Sequence, residues 1–256
     1  MNSKITKTAL ITGATSGIGK ATAIRLASEG WRLILTGRRQ ERLDDLCKSL
    51  KELYQTETLP LCFDVQSEEQ TRSALNILPT TWQNIDLLLN NAGLASGLEP
   101  IQTGSILDWD KMINTNIKGL LYVTRQVAPL MIRYKKGHII NIGSIAGKEV
   151  YANGAVYCAT KHAVDALSKG MRIDMVQYGI KVTQICPGAV ETEFSEVRFH
   201  GDKERAKSVY TGFTPLTATD IADTIAYVAN LPEHVCINDL VIMPKAQASA
   251  TITHRQ

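Results

Sequence analysis

The segment GAVYCATKHAV, residues 154–164, places Tyr157 four positions before Lys161. On a helix, those two side chains share one face. Such pairs occur often by chance. The same spacing also lets an ammonium tune a phenol for proton transfer. A phenol ionises near about 10, and a neighbouring positive charge favours the phenolate. A fall to about 7 corresponds to about 4 kcal/mol and brings the group into the range where general acid–base catalysis is efficient. Ser144 lies thirteen positions before Tyr157, in GSIAG. Its hydroxyl can donate to an oxygen that gains negative charge, although a Ser between glycines is also an ordinary turn residue.

These side chains need a frame, and the chain supplies an alternating one. Short apolar runs at 8–11, 32–36, 59–63, 85–90, 138–142, 180–186 and 240–243 read as strands. Helical patterns at 17–28, 40–53, 67–78, 108–134, 154–177 and 218–229 separate them, with a bend expected at Pro129. Apolar strands alternating with helices specify a doubly wound parallel sheet with helices on both faces. The 256 residues contain no repeat or Pro/Gly-rich linker and read as one domain. Ligands of such sheets bind beyond the carboxyl ends of the strands.

The loops at those ends carry the next signals. TGATSGIG, residues 12–19, follows a strand and opens a helix. Gly13 permits a tight turn, and Gly17 and Gly19 allow close approach to a pyrophosphate at a helix N-terminus. Thr15, Ser16 and Ile18 complete that loop. The second strand ends TGRRQ, so Gly37 stands where an NAD site places its ribose-binding acid. Arg38 and Arg39 follow it. Two cations at a helix start oppose its dipole unless an anion sits between them, and a guanidinium matches a phosphate well. NADP(H) is therefore expected over NAD(H). FDV offers Asp64 as a partner for the adenine amino group, next to Val65, and NNAG adds Asn91, Ala92 and Gly93.

The composition narrows the alternatives. With 28 basic and 25 acidic residues, the net charge of +3 gives no basis for a nucleic-acid or anionic-membrane partner. The five cysteines and five histidines lack disulfide-framework or metal-ligand spacing, so no metal is expected. No apolar run is long enough to span a bilayer and no signal-peptide pattern opens the chain, so a cytoplasmic location is expected.

Taken in order, these motifs resemble those of classical short-chain dehydrogenases/reductases, from Thr8 to about Pro244. The resemblance implies a Rossmann fold. It casts Ser144, Tyr157 and Lys161 as a catalytic set and Asn116, in NTNIKG, as a fourth member that holds a water linking Lys161 to solvent. It also makes PGAVET, which contains Pro187, Gly188, Val190 and Thr192, a segment that closes over the nicotinamide. The stretches 191–210, 37–44 and 243–249 are similar to the NADP-dependent serine/3-hydroxy acid dehydrogenase branch. That similarity implies a small 3-hydroxy acid or semialdehyde substrate and a homotetramer. Arg198 is the candidate cation for a substrate carboxylate, with a plain surface arginine as the other reading. His162 and His200 receive no role. A reductase acting on a sugar, steroid or acyl thioester, or a non-catalytic NADP sensor, are the competing readings.

Overall fold

The computed structural model describes residues 6–256. Its strands are β1 (Thr8–Ile11), β2 (Arg32–Gly37), β3 (Thr58–Cys62), β4 (Leu87–Asn90), β5 (Gly137–Ile142), β6 (Ile180–Pro187), β7 (Val190–Glu191), β8 (Leu216–Thr217) and β9 (Asp239–Ile242). Its helices are α1 (Gly17–Ala27), α2 (Gln40–Tyr54), α3 (Glu68–Asn76), α4 (Ile106–Ile113), α5 (Leu120–Tyr134), α6 (Ala155–Met175), α7 (Phe194–Arg198), α8 (Lys203–Ser208) and α9 (Ala218–Ala229). Seven strands form one parallel sheet in the order β3-β2-β1-β4-β5-β6-β9. The order reverses between β1 and β4, which is where a doubly wound sheet opens a ligand crevice.

The two faces follow from a two-residue period inside runs that look uniformly apolar. Ala9, Ile11, Leu33, Leu35, Leu87 and Leu89 join Leu26, Leu43, Leu50 and Ile225 under α1, α2 and α9. The intervening Leu10, Ile34 and Leu88 join Leu75, Val123, Val127, Met131 and Val164 under α3, α5 and α6. A third cluster, containing Ala95, Met112, Ala146, Tyr157 and Cys158, lies at the crevice itself.

The helix expected over 108–134 is interrupted, though not by Pro129. Residues Asn114–Gly119 form a π turn between α4 and α5, and α5 continues through Pro129. The turn places the Asn116 amide against the β4 loop, where it exchanges two hydrogen bonds with the Leu94 backbone at 2.9 and 2.8 Å. The small parallel pair β7–β8 and the helices α7 and α8 are additions that the strand–helix alternation does not announce.

Candidate active site

The loops after β1, β2, β3, β4, β5 and β6 line one cavity of about 510 Å³. Thr12, at the end of β1, ties two of them together. Its hydroxyl donates to the Leu89 carbonyl (3.2 Å) and accepts from the Asn91 and Ala92 N–H groups (3.0 Å each). Asn91 returns its side-chain amide to the Thr12 carbonyl at 2.8 Å. The Gly-rich turn is thereby locked onto the NNAG loop. Gly13 has φ +65°, and a Cβ on Gly19 would meet the Gly13 carbonyl oxygen at 2.4 Å. Gly37 has a similar steric reason, because a Cβ there would lie 2.7 Å from the Thr15 methyl.

Gly13, Thr15, Ser16, Gly17 and Ile18 line the cavity, as do Asp64, Val65, Asn91, Ala92, Gly93, Pro187, Gly188, Val190 and Thr192. Gly19 sits behind that wall, on Gly13. Ser16 caps α1 without a side-chain hydrogen bond of its own, which leaves its hydroxyl for a ligand at the helix start. The cradle, the helix N-terminus and the arginines fit a dinucleotide with an additional phosphate.

Those arginines are engaged with neighbouring side chains. Arg38 lies 3.5 Å from Asp64. Arg39 reaches Thr15 Oγ1 at 3.1 Å and Glu193 Oε2 at 3.1 Å. Arg42, which the sequence did not single out, pairs with the other Glu193 oxygen at 2.7 Å. Partial burial works against ionisation of Glu193, but hydrogen bonds from Arg42 and Arg39 outweigh it and hold the carboxyl below its usual range.

At the opposite end, α6 buries both Tyr157 and Lys161. Burial pushes the Tyr157 phenol above its ordinary value, and the Ser144 side chain and the Arg198 charge only partly offset this. The ammonium of Lys161 donates to the Ile142 carbonyl at 2.9 Å and sits 6.0 Å from the centre of the Tyr157 ring. Burial brings Lys161 down to about 8. The expected lowering of Tyr157 by Lys161 is thus not what the protein groups produce. Desolvation dominates, and Arg198 is the cation that favours the phenolate.

Ser144 lines the cavity and accepts from the Ala146 N–H at 3.1 Å. Asn116 is set back from the cavity, and its Nδ2 also donates to Thr160 Oγ1 at 3.0 Å. Arg198 lies in the cavity wall, with its guanidinium 5.6 Å from the centre of the Tyr157 ring. It donates to the Tyr151 hydroxyl (3.0 Å) and the Gly97 carbonyl (3.3 Å). Among the described residues it forms no salt bridge. His162 bonds the Cys158 carbonyl of its own helix. His200 meets the buried Asp108 at 3.2 Å, and Asp108 also accepts from Ser96 at 2.7 Å. No cluster of His, Cys, Asp or Glu that could hold a metal ion occurs among the described residues.

Residues 7–203 match the family model of the short chain dehydrogenases. The chain is a short-chain dehydrogenase. It is 47% identical to the NADP-dependent 3-hydroxy acid dehydrogenase YdfG of Salmonella typhi, with 96% of this chain and 98% of that protein covered. It is 44% identical to the serine 3-dehydrogenase of Agrobacterium fabrum, with 95% and 96% covered. A solved closed form of serine dehydrogenase complexed with NADP+ superimposes with a TM-score of 0.92 at 45% identity, covering 97% of this chain and all of that one.

Several residues that build this short-chain dehydrogenase's site carry little signal in the sequence. Tyr151 and Glu193 touch the expected arginines across 47 and 154 positions respectively. Gln247, from the C-terminal segment, accepts from the Ala189 N–H at 2.8 Å and lines the same cavity. Their types are unremarkable, and only the tertiary fold brings them near the strand ends.

Proposed function

We propose that this short-chain dehydrogenase transfers a hydride between NADP(H) and a small 3-hydroxy acid or the corresponding oxo acid or semialdehyde, of the L-serine, L-allo-threonine or 3-hydroxypropanoate type. The observation that carries the substrate reading is Arg198, a cavity cation with no carboxylate partner among the described residues, placed beside Tyr157. A substrate carboxylate on Arg198 leaves the C3 hydroxyl carbon, one carbon removed from the carboxyl group, to the Tyr157 side. The names of the relatives agree with that chemistry.

When bound, the nicotinamide supplies the hydride acceptor or donor. Tyr157 holds and moves the proton at its phenolic oxygen. Ser144 donates to the substrate oxygen as charge develops there. Lys161 supplies a positive charge behind Tyr157, and Asn116 fixes the loop beside that lysine. Arg38 and Arg39 would hold the cofactor's 2′-phosphate, Asp64 its adenine amino group, and the segment 187–192 its nicotinamide end. We place the protein in the cytoplasm, consistent with free cysteines and with no helix long and apolar enough to cross a membrane among the described residues. A homotetramer is supported by the apolar residues Ile106, Leu107, Ile173 and Val176, which α4, α6 and the turn after α6 leave exposed. Light scattering of the purified protein checks it.

The decisive experiment follows reduced-nicotinamide absorbance with both cofactors. It compares L-serine, L-allo-threonine, 3-hydroxypropanoate and 3-hydroxyisobutyrate with sugar alcohols and steroids. Turnover of the hydroxy acids with NADP+ is expected. Faster oxidation of an uncharged alcohol overturns the substrate assignment, and tight NADPH binding without any turnover overturns the enzyme reading.

A further inference from the structure

Glu193 stands where an anion would not be expected. It belongs to the segment between β7 and α7, yet its carboxylate pairs with two arginines that follow β2, Arg39 just before α2 and Arg42 in the first turn of α2. One oxygen takes Arg39 and the other takes Arg42. Both arginines and the glutamate are about half exposed, so each pair is weak and readily exchanged. Arg39 and Glu193 line the cavity, whereas Arg42 does not. The neighbouring Thr192 rests on the Gly-rich turn, within van der Waals reach of a Cβ placed on Gly17. The carboxylate therefore lies beside the same arginine that the proposed function assigns to the 2′-phosphate.

We propose that Glu193 is a specificity-determining residue that stands in for the 2′-phosphate, yielding Arg39 to that phosphate and keeping Arg42 as its remaining partner when NADP(H) binds. The inference rests on the NADP(H) reading above. A phosphate dianion and a carboxylate cannot share one exposed guanidinium without repulsion, so cofactor binding exchanges one ion pair for another. Arg42 provides the second position. Without it, the displaced carboxylate has no cation to retain. Because an NAD-type ribose brings no anion, it leaves the Glu193 pairs as they are. The exchange acts on cofactor discrimination and not on the hydride step.

The test measures binding and needs no turnover. Titrate wild type, Glu193→Gln, Arg42→Gln and the double variant with NADPH, NADH, 2′,5′-ADP and 5′-AMP, using calorimetry or nucleotide-fluorescence change. Glu193→Gln removes the competing charge and should tighten NADPH and 2′,5′-ADP about threefold to tenfold, with NADH and 5′-AMP unchanged. Arg42→Gln should weaken the two phosphate-bearing ligands, because Glu193 then stays on Arg39. The double variant should bind like Glu193→Gln alone. Equal changes for NADPH and NADH in Glu193→Gln overturn the exchange, since a strap over the whole cofactor would do that. A loss in the double variant relative to Glu193→Gln also overturns it, since Arg42 would then hold the phosphate directly. If wild type binds NADPH and NADH equally, the NADP(H) reading itself fails, an outcome distinct from both. Matching thermal melts confirm that each variant is folded.

Discussion

At the β2 end of the cavity, Arg38, Arg39 and Arg42 each meet a carboxylate, from Asp64 or Glu193. At the α6 end, Arg198 meets only neutral oxygens, those of Tyr151 and Gly97. Both ends present guanidinium groups to the same cavity. A cation already paired selects among ligands by exchange, so its effect appears as a difference between ligands with and without a competing anion. A cation that lacks a counter-ion gains its first charge partner from the ligand, so its effect appears in affinity for any anion of suitable reach. On this view, the β2 end discriminates between two cofactors and the α6 end recruits a class of substrate.

The comparison can be broken most sharply at Tyr157. Tyr157→Phe removes the proton carrier, and turnover should fall about 10²- to 10⁴-fold with NADPH affinity intact. Stopped-assay rates beside calorimetric binding check this, and a matching loss of NADPH binding would erase the division between the ends. At the β2 end, Arg38→Asp should weaken NADPH about 10- to 100-fold and NADH far less, with the rate at saturating cofactor preserved. An unchanged ratio of the two dissociation constants removes Arg38 from phosphate recognition. Arg198→Ala should raise KM for 3-hydroxy acids about tenfold and leave an uncharged ketone of similar size nearly untouched. Steady-state kinetics on the two substrates decide it, and equal losses would make Arg198 a packing residue.

The smallest expected effect concerns pH. Burial lowers Lys161 from its ordinary 10.5 to about 8, so the ammonium prevails below that value and the neutral amine above it. For reduction, which uses the ammonium, kcat/KM should drop to about half its low-pH level near pH 8 and continue to fall above it. The β2 end relies on arginines, and NADPH affinity should not follow that curve. A flat reduction profile between pH 7 and 9 would remove Lys161's charge from the chemistry.

Much of this frame was legible in the residues. Strand β1 and helix α9 fall at the bounds expected from apolar runs and from the helical period. The Gly-rich turn, the arginines after Gly37 and the Tyr157–Lys161 spacing are local signals, since a few adjacent residues carry each. What escaped is what depends on distance through space. Glu193 and Arg42 are ordinary surface residue types until β7 and α2 are brought together. Tyr157's environment likewise could not be read from its neighbour at i+4, because burial in the crevice is the largest influence on the phenol and the charge of Tyr151 adds to it. The π turn has no apolar signature either. Its residues NTNIKG continue the helical pattern on paper.

That π turn bears on how the chain tolerates changes in length. Each α-helical residue advances the side-chain direction by about 100°, and a π turn absorbs a residue without completing that rotation. α4 and α5 are therefore set at an angular offset that neither helix contains by itself. Deleting one residue between 114 and 119 would make the local hydrogen bonding more regular. It would also swing Val123, Val127 and Met131 out of phase with the sheet, relative to α4 and the Leu94 loop. Substitutions along this stretch perturb single contacts, whereas a one-residue deletion perturbs the phase of everything downstream on the helix.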